Sequence, residues 1–228
     1  MADRHTLIID GDDTLWENNV HFEQAIEDFI DFLDHSALSR QQVRAALDEV
    51  ERLNSRVHGY GSAAFARNLR ETYERLAERE LHPDDLERVM QLGRRILNIE
   101  LELLPGVAET LAYLEPRHPL FLFTKGDAEE QRLKVQRSGL ADHFEQVIVA
   151  REKDVAGYRD LVRAYDFDPA QTWMIGNSPR SDINPALEAG LRAVYIPHPH
   201  TWRLEQADLP ADRRVLVLHS FRELRDHF

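Results

Sequence analysis

Apolar positions follow two rhythms along this chain, and the change between them divides it. Leu7, Ile8 and Ile9 form a short unbroken apolar run that predicts a buried strand. Beyond Trp16 the spacing becomes helical: Phe22, Ile26, Phe29, Ile30 and Leu33 predict a first helix. Ser39 begins a second, through Val43, Leu47, Val50 and Leu53, which ends near the glycine-rich HGYGS at 58–62. Phe65, Leu69, Tyr73 and Leu76 predict a third, and Pro83 opens a fourth through Leu86, Val89, Leu92 and Ile96. No run of β-branched residues interrupts this stretch, so residues 17–102 read as an all-α insert between residues 1–16 and 103–228.

From Leu104-Pro105-Gly106 onward, strands and helices alternate. A helix from Val107 to Leu114 precedes the apolar strand PLFLFT at 119–124, and a polar helix from about Asp127 to Ser138 ends at Gly139, placed as a C-cap. A strand over 144–150, a helix from Val155 to Tyr165 and a strand over 172–176 follow. A helix near Asp182 to Ala189, a strand over 192–196 and a last strand over 215–218 complete the series. This alternation predicts an α/β fold: an open parallel sheet with helices on both faces. Ligands of such sheets bind beyond the carboxyl ends of the strands, where Asp10, Thr124 and Gly176-Asn177 all fall.

Composition narrows the function. The 228 residues are 43% hydrophobic and 30% charged, ordinary for a globular protein long enough for one α/β core with an insert. A net charge of −13 without a Lys/Arg stripe argues against nucleic acid as a partner. The absence of cysteine excludes disulfides and Cys-ligated zinc. The N-terminus has no apolar segment of signal-peptide length and no later run could span a bilayer, so a cytoplasmic protein without membrane association is expected; oligomeric state stays open.

The chemistry concentrates in LIIDGDDTLW, residues 7–16, where a buried strand runs into Asp10, Asp12 and Asp13. Like charges this close raise one another's pKa or require a cation. A calcium loop does not fit, because the sixth residue from Asp10 is Leu15 rather than glycine and the twelfth is His21 rather than glutamate. Gly11 leaves room for a ligand to approach backbone N–H groups. Thr124 offers a hydroxyl, followed by Lys125 and Gly126; Lys153, preferred over Lys125 and Lys134, offers an ammonium; and GNSPRSD at 176–182 brings Asn177 and Asp182. A nucleophilic carboxylate, a second carboxylate, a hydroxyl, a lysine and a loop carboxylate suit Mg²⁺-assisted phosphoryl transfer.

The set DGDDT (10–14), Thr124, Lys153 and GNSPRSD (176–182), in this order, resembles the four motifs of the haloacid dehalogenase superfamily, and the insert resembles its small α-helical (C1-type) cap. The resemblance implies a Rossmann-like core and a phosphatase acting on a small phosphorylated metabolite through an aspartyl-phosphate. By it, Asp10 is the nucleophile and Asp12 the acid and base, with Thr124 and Lys153 on the phosphoryl group. Mg²⁺ would sit on Asp10, the Asp12 carbonyl and Asp182. Gly11, Lys125 and Gly126 would add phosphate or substrate contacts. Two positions depart from the usual pattern: Asn177 stands where an acid often follows the loop glycine, and Lys125 where Asn is common.

Asp13 reads as a structural acceptor. His58 and Tyr60 form a candidate substrate loop in the insert, with Arg56 and Arg67 as weaker candidates for a substrate anion. His198 and His200, with no third ligand evident, read as a surface loop packed by Pro and Trp. A phosphomutase, a dehalogenase and a non-catalytic phosphate-binding protein stand as alternatives. A receiver-type module stands against the strand end Arg151-Glu152, which lacks the aspartate such a module phosphorylates.

Overall fold

The computed structural model describes residues 4–228, with Arg56 described for its backbone alone. The chain divides into two compact units: residues up to Asn19 with Leu101–Phe228, and Val20–Glu100.

The first unit is built on a six-stranded parallel sheet: β1 (Thr6–Ile9), β2 (Leu120–Lys125), β3 (Gln146–Ala150), β4 (Thr172–Gly176), β5 (Arg192–Tyr195) and β6 (Val215–Val217). Their order is β3-β2-β1-β4-β5-β6, with β1 between β2 and β4. Because successive strand residues point to opposite faces, β1 is buried on both. Leu7 and Ile9 join Leu120, Leu122, Ile175 and Val194 beneath Val107, Leu111 and Leu114 of α5 (Val107–Leu114) and Val135 of α6 (Ala128–Ser138). Ile8 joins Phe121, Phe123 and Met174 on the other face, under Tyr158 and Leu161 of α7 (Val155–Tyr165) and Ala186 of α8 (Asn184–Glu188). A three-residue apolar run suits a strand buried on both faces.

The second unit holds most of α1 (Asn19–Leu33) and all of α2 (Arg40–His58), α3 (Ser62–Leu76) and α4 (Pro83–Arg94), inserted between β1 and β2. Ser39 and Gln42 form a capping box, Ser39 Oγ accepting from Gln42 N at 3.3 Å and Gln42 Oε1 from Ser39 N at 2.9 Å. Phe29, Leu47, Leu69, Tyr73 and Val89 fill the core between the helices. Gly93 lets α4 lie directly on α3, since a Cβ there would fall 2.7 Å from Ala66 Cα.

Two elements differ from expectation. The helix expected from Asp182 instead starts at Pro179 as a five-residue π turn, Pro179–Ile183, and continues as α8. Ser178 causes the earlier start: its Oγ accepts from Ser181 N at 2.9 Å and its carbonyl accepts from Asp182 N at 2.9 Å and Ile183 N at 3.1 Å. The fourth helix of the insert tightens into a 3-10 turn over Arg95–Asn98, which carries Ile96. Among the described residues no helix is long and apolar enough to cross a membrane.

Candidate active site

The strand order reverses between β1 and β4, and the crevice beyond their carboxyl ends is where an open sheet places its ligand. Asp10 follows β1 directly, and its N–H is still held by the Ile175 carbonyl of β4 at 2.9 Å. The residue is buried, 7% exposed. Thr124, near the end of β2, is also buried.

Lys153, just after β3, sends its ammonium to Asp10 Oδ1 at 2.6 Å and to the Phe123 carbonyl at 3.2 Å. The same nitrogen ion-pairs with Asp182 Oδ1. Two buried carboxylates thus share one buried cation. Burial first, then Asp182, push Asp10 up to about 7, although Lys153 works the other way. Burial works against the Lys153 ammonium, but Asp10 and Asp182 outweigh it and its pKa is raised.

Asp182 is fully buried, and Oδ2 accepts from Ser178 N at 2.9 Å. Gly176 makes that position possible, because a Cβ there would lie 2.2 Å from Asp182 Oδ2. Tyr158 of α7 donates its hydroxyl to the Ser181 carbonyl at 2.9 Å, supporting the turn from beneath. Asn177 joins through Thr14, whose Oγ1 lies 3.3 Å from both Asp10 Oδ2 and Asn177 Oδ1. The Asn177 amide nitrogen donates to Thr201 Oγ1 at 3.0 Å. The amide oxygen is thereby turned toward the Asp10 side.

Asp12 is directed elsewhere. Its Oδ1 accepts from Trp16 Nε1 at 2.7 Å and its Oδ2 from Gln131 Nε2 at 2.8 Å. Lys134 of α6 reaches both oxygens, at 2.9 and 3.0 Å. Burial raises the Asp12 pKa, yet Lys134, Gln131 and Trp16 together hold it below the ordinary value. The three lysines weighed from sequence have separate duties: Lys153 meets Asp10 and Asp182, Lys134 meets Asp12, and Lys125 turns to Glu205 and Ser181.

Buried Glu205 balances the Lys125 charge. Burial opposes the Glu205 charge, but Lys125, Ser178 and Ser181 hold its pKa below the ordinary range. The two motif glycines also take on packing roles. A Cβ at Gly11 would meet the Trp16 ring at 2.9 Å, so its open face receives the indole, with Thr124 Oγ1 at 3.6 Å. Gly126, at φ 146°, makes room for Gln131, whose Nε2 would lie 2.9 Å from a Cβ.

Asp13 is the structural acceptor expected of it. In a left-handed conformation (φ 60°), it takes the N–H groups of Asn18 and Asn19 on Oδ1, both at 2.9 Å, where α1 begins. His198 is not on an open surface loop: its side chain is 9% exposed, 3.8 Å from Asp13 Oδ1 and 3.4 Å from Glu17 Oε2. The acidic partners that the sequence left hidden are therefore Asp13 and Glu17. Of the residues named in the insert, His58 ends α2, Tyr60 lies in the turn to α3 and Arg67 is exposed on α3; the Arg56 side chain lies outside the described residues.

Thr14, Trp16, Gln131, Lys134, Ser178 and Glu205 join the site only in the structure. Thr14 and Ser178 lie inside the motifs and Trp16 lies four residues from Asp12; Gln131, Lys134 and Glu205 depend on contacts between distant segments that local spacing does not encode.

The donor chemistry suits Mg²⁺. Asp10, Asp182 and the Asn177 amide offer hard oxygens, and two buried carboxylates around one ammonium leave an excess of negative charge.

A family model described as haloacid dehalogenase-like hydrolase matches residues 5–190. The chain belongs to this family of hydrolases, and its sheet with a helical insertion between β1 and β2 is the family fold. A haloacid dehalogenase-like family hydrolase from Xanthomonas campestris superposes with a TM-score of 0.87 at 30% identity, over 98% of this chain and 90% of that one. The HAD-hydrolase YfnB from Bacillus subtilis, solved bound to magnesium, shares the fold: TM-score 0.70, 17% identity, 99% of each chain.

Among curated relatives, phosphoserine phosphatase from Thermus thermophilus is 33% identical over 82 residues, 34% of this chain and 33% of the relative. Pyrimidine 5'-nucleotidase YjjG from Escherichia coli is 24% identical over 143 residues, 59% of this chain and 63% of the relative. The chain thus spans less than two thirds of the length of either.

Proposed function

We propose that this hydrolase is a Mg²⁺-dependent phosphatase that cleaves a small phosphomonoester through a covalent phosphoryl intermediate on Asp10. The observation that carries the reading is the shared ion pair: a buried carboxylate at the tip of β1, aimed by Lys153 and faced by Asp182. The names of the two curated relatives, a phosphatase and a nucleotidase, support the substrate class.

In the first half-reaction an Asp10 oxygen attacks phosphorus and the ester oxygen leaves, taking a proton from Asp12. In the second, Asp12 takes a proton from water as the water attacks the phosphoryl group, and Asp10 is released. Thr124 donates its hydroxyl to a phosphoryl oxygen, and Lys153 offsets the charge that gathers on Asp10 and the phosphoryl group. Asp10, the Asp12 carbonyl, Asp182 and Asn177 would hold the metal. Bound Mg²⁺ would supply positive charge to the phosphoryl oxygens. His58 and Tyr60 are the candidates for substrate selection.

Release of nitrophenol from p-nitrophenyl phosphate, with Mg²⁺ and after chelation, tests the reading. Turnover that requires the metal supports it. No turnover under any of Mg²⁺, Mn²⁺ or Co²⁺ would replace it with a non-catalytic phosphate-binding role.

A further inference from the structure

Asp12 lies two residues from Asp10, yet its carboxylate is held by an entirely different set of groups. Trp16 Nε1 bonds Oδ1 at 2.7 Å, Gln131 Nε2 bonds Oδ2 at 2.8 Å, and Lys134 Nζ lies 2.9 and 3.0 Å from the two oxygens. These contacts engage both oxygens and hold the carboxylate in one orientation. Two of the donors come from α6, one turn apart, from 119 and 122 residues away in the chain.

The arrangement is built rather than incidental. Gly126, at φ 146°, leaves open the space that Gln131 crosses. Lys134 is anchored again by Asn18 Oδ1 at 2.7 Å, and its side chain is only 16% exposed. Both oxygens of Asp12 therefore lie in a plane set by α6 and by the indole of Trp16. A proton-transfer group acts only within hydrogen-bond reach of the atom it serves, in the right orientation, so the groups that set this plane set the reaction geometry.

We propose that Lys134 and Gln131 are positioning residues that aim the Asp12 carboxylate, and that Lys134 affects turnover through Asp12 alone. This rests on the proposed role of Asp12 as acid and base. Without Lys134 the carboxylate swings between its two remaining donors. A displacement of about 1 Å at a reacting group costs roughly 10²-fold in rate.

A double-mutant cycle on p-nitrophenyl phosphate with Mg²⁺ provides the test, using wild type, Lys134→Met, Asp12→Asn and the double variant, each checked by thermal melting. Lys134→Met is expected to lower kcat by about 10²-fold, with KM little changed, and Lys134→Arg to recover much of the loss. In the Asp12→Asn background, Lys134→Met should cost nothing further. An equal loss in both backgrounds, or none in either, overturns the proposal while leaving the role of Asp12 intact. Full activity of Asp12→Asn would instead overturn the acid-base reading and this inference with it. Should Lys134→Met fail to fold, the same cycle with Gln131→Leu gives the same discrimination.

Discussion

Lys153 Nζ lies 2.6 Å from Asp10 Oδ1, though 143 residues separate them in the chain. The same ammonium pairs with Asp182, so one cation joins the tip of β1 to the turn after β4. Side chains from beyond β3, β1 and β4 meet there because all the strands run in one direction.

Replacing that cation tests how the charge is balanced. Lys153→Met leaves Asp10 and Asp182 facing each other with no opposing charge, and removing one member of a buried pair costs about 3–5 kcal/mol. Urea titration of the metal-free variant should show a loss of this order, and added Mg²⁺ should recover part of it. A variant as stable as wild type without metal would mean that the two carboxylates do not share this charge.

Gly176 keeps open the position that Asp182 occupies. Gly176→Ala would place a Cβ 2.2 Å from Asp182 Oδ2, so the carboxylate must move. The expected outcome is a stability loss of about 1–3 kcal/mol together with weaker Mg²⁺ binding by calorimetry. Unchanged metal affinity would remove Asp182 from the ligand set.

The Lys125–Glu205 pair gives a pH signature separate from the metal ligands. Lys125, Ser178 and Ser181 overcome the effect of burial and lower the Glu205 pKa in the folded protein. Its contribution to stability is therefore complete above the ordinary value of 4.5 and is lost as pH falls through the lowered value. Glu205→Gln should cost on the order of 3 kcal/mol at pH 7 and flatten the decline below pH 4.5. A decline of the same steepness in wild type and variant would assign the acid sensitivity to other groups.

The periodic elements were legible because their residues report their own surroundings. Leu7-Ile8-Ile9 announced a buried strand, and Ser39 announced the start of α2. The motif residues were legible as types at strand ends. What stayed hidden was direction. Asp10 and Asp12 both follow β1, but one side chain faces Lys153 and the other faces α6. Nothing in DGDDT reveals this, because the deciding partners, Gln131 and Lys134, sit 119 and 122 residues away on a polar helix whose sequence gives no sign of which side faces β1. The surroundings of His198 stayed hidden for the same reason: Asp13 and Glu17 become its neighbours only when the chain end of β1 and the loop after β5 are brought together.

A covalent phosphoryl group at Asp10 is the central step of the proposed reaction. Radiolabelled phosphoryl substrate mixed with enzyme and quenched rapidly in acid should leave label on the peptide that contains Asp10 in wild type and none in Asp10→Asn. Efficient turnover with no label at Asp10, or with label on another residue, would contradict it.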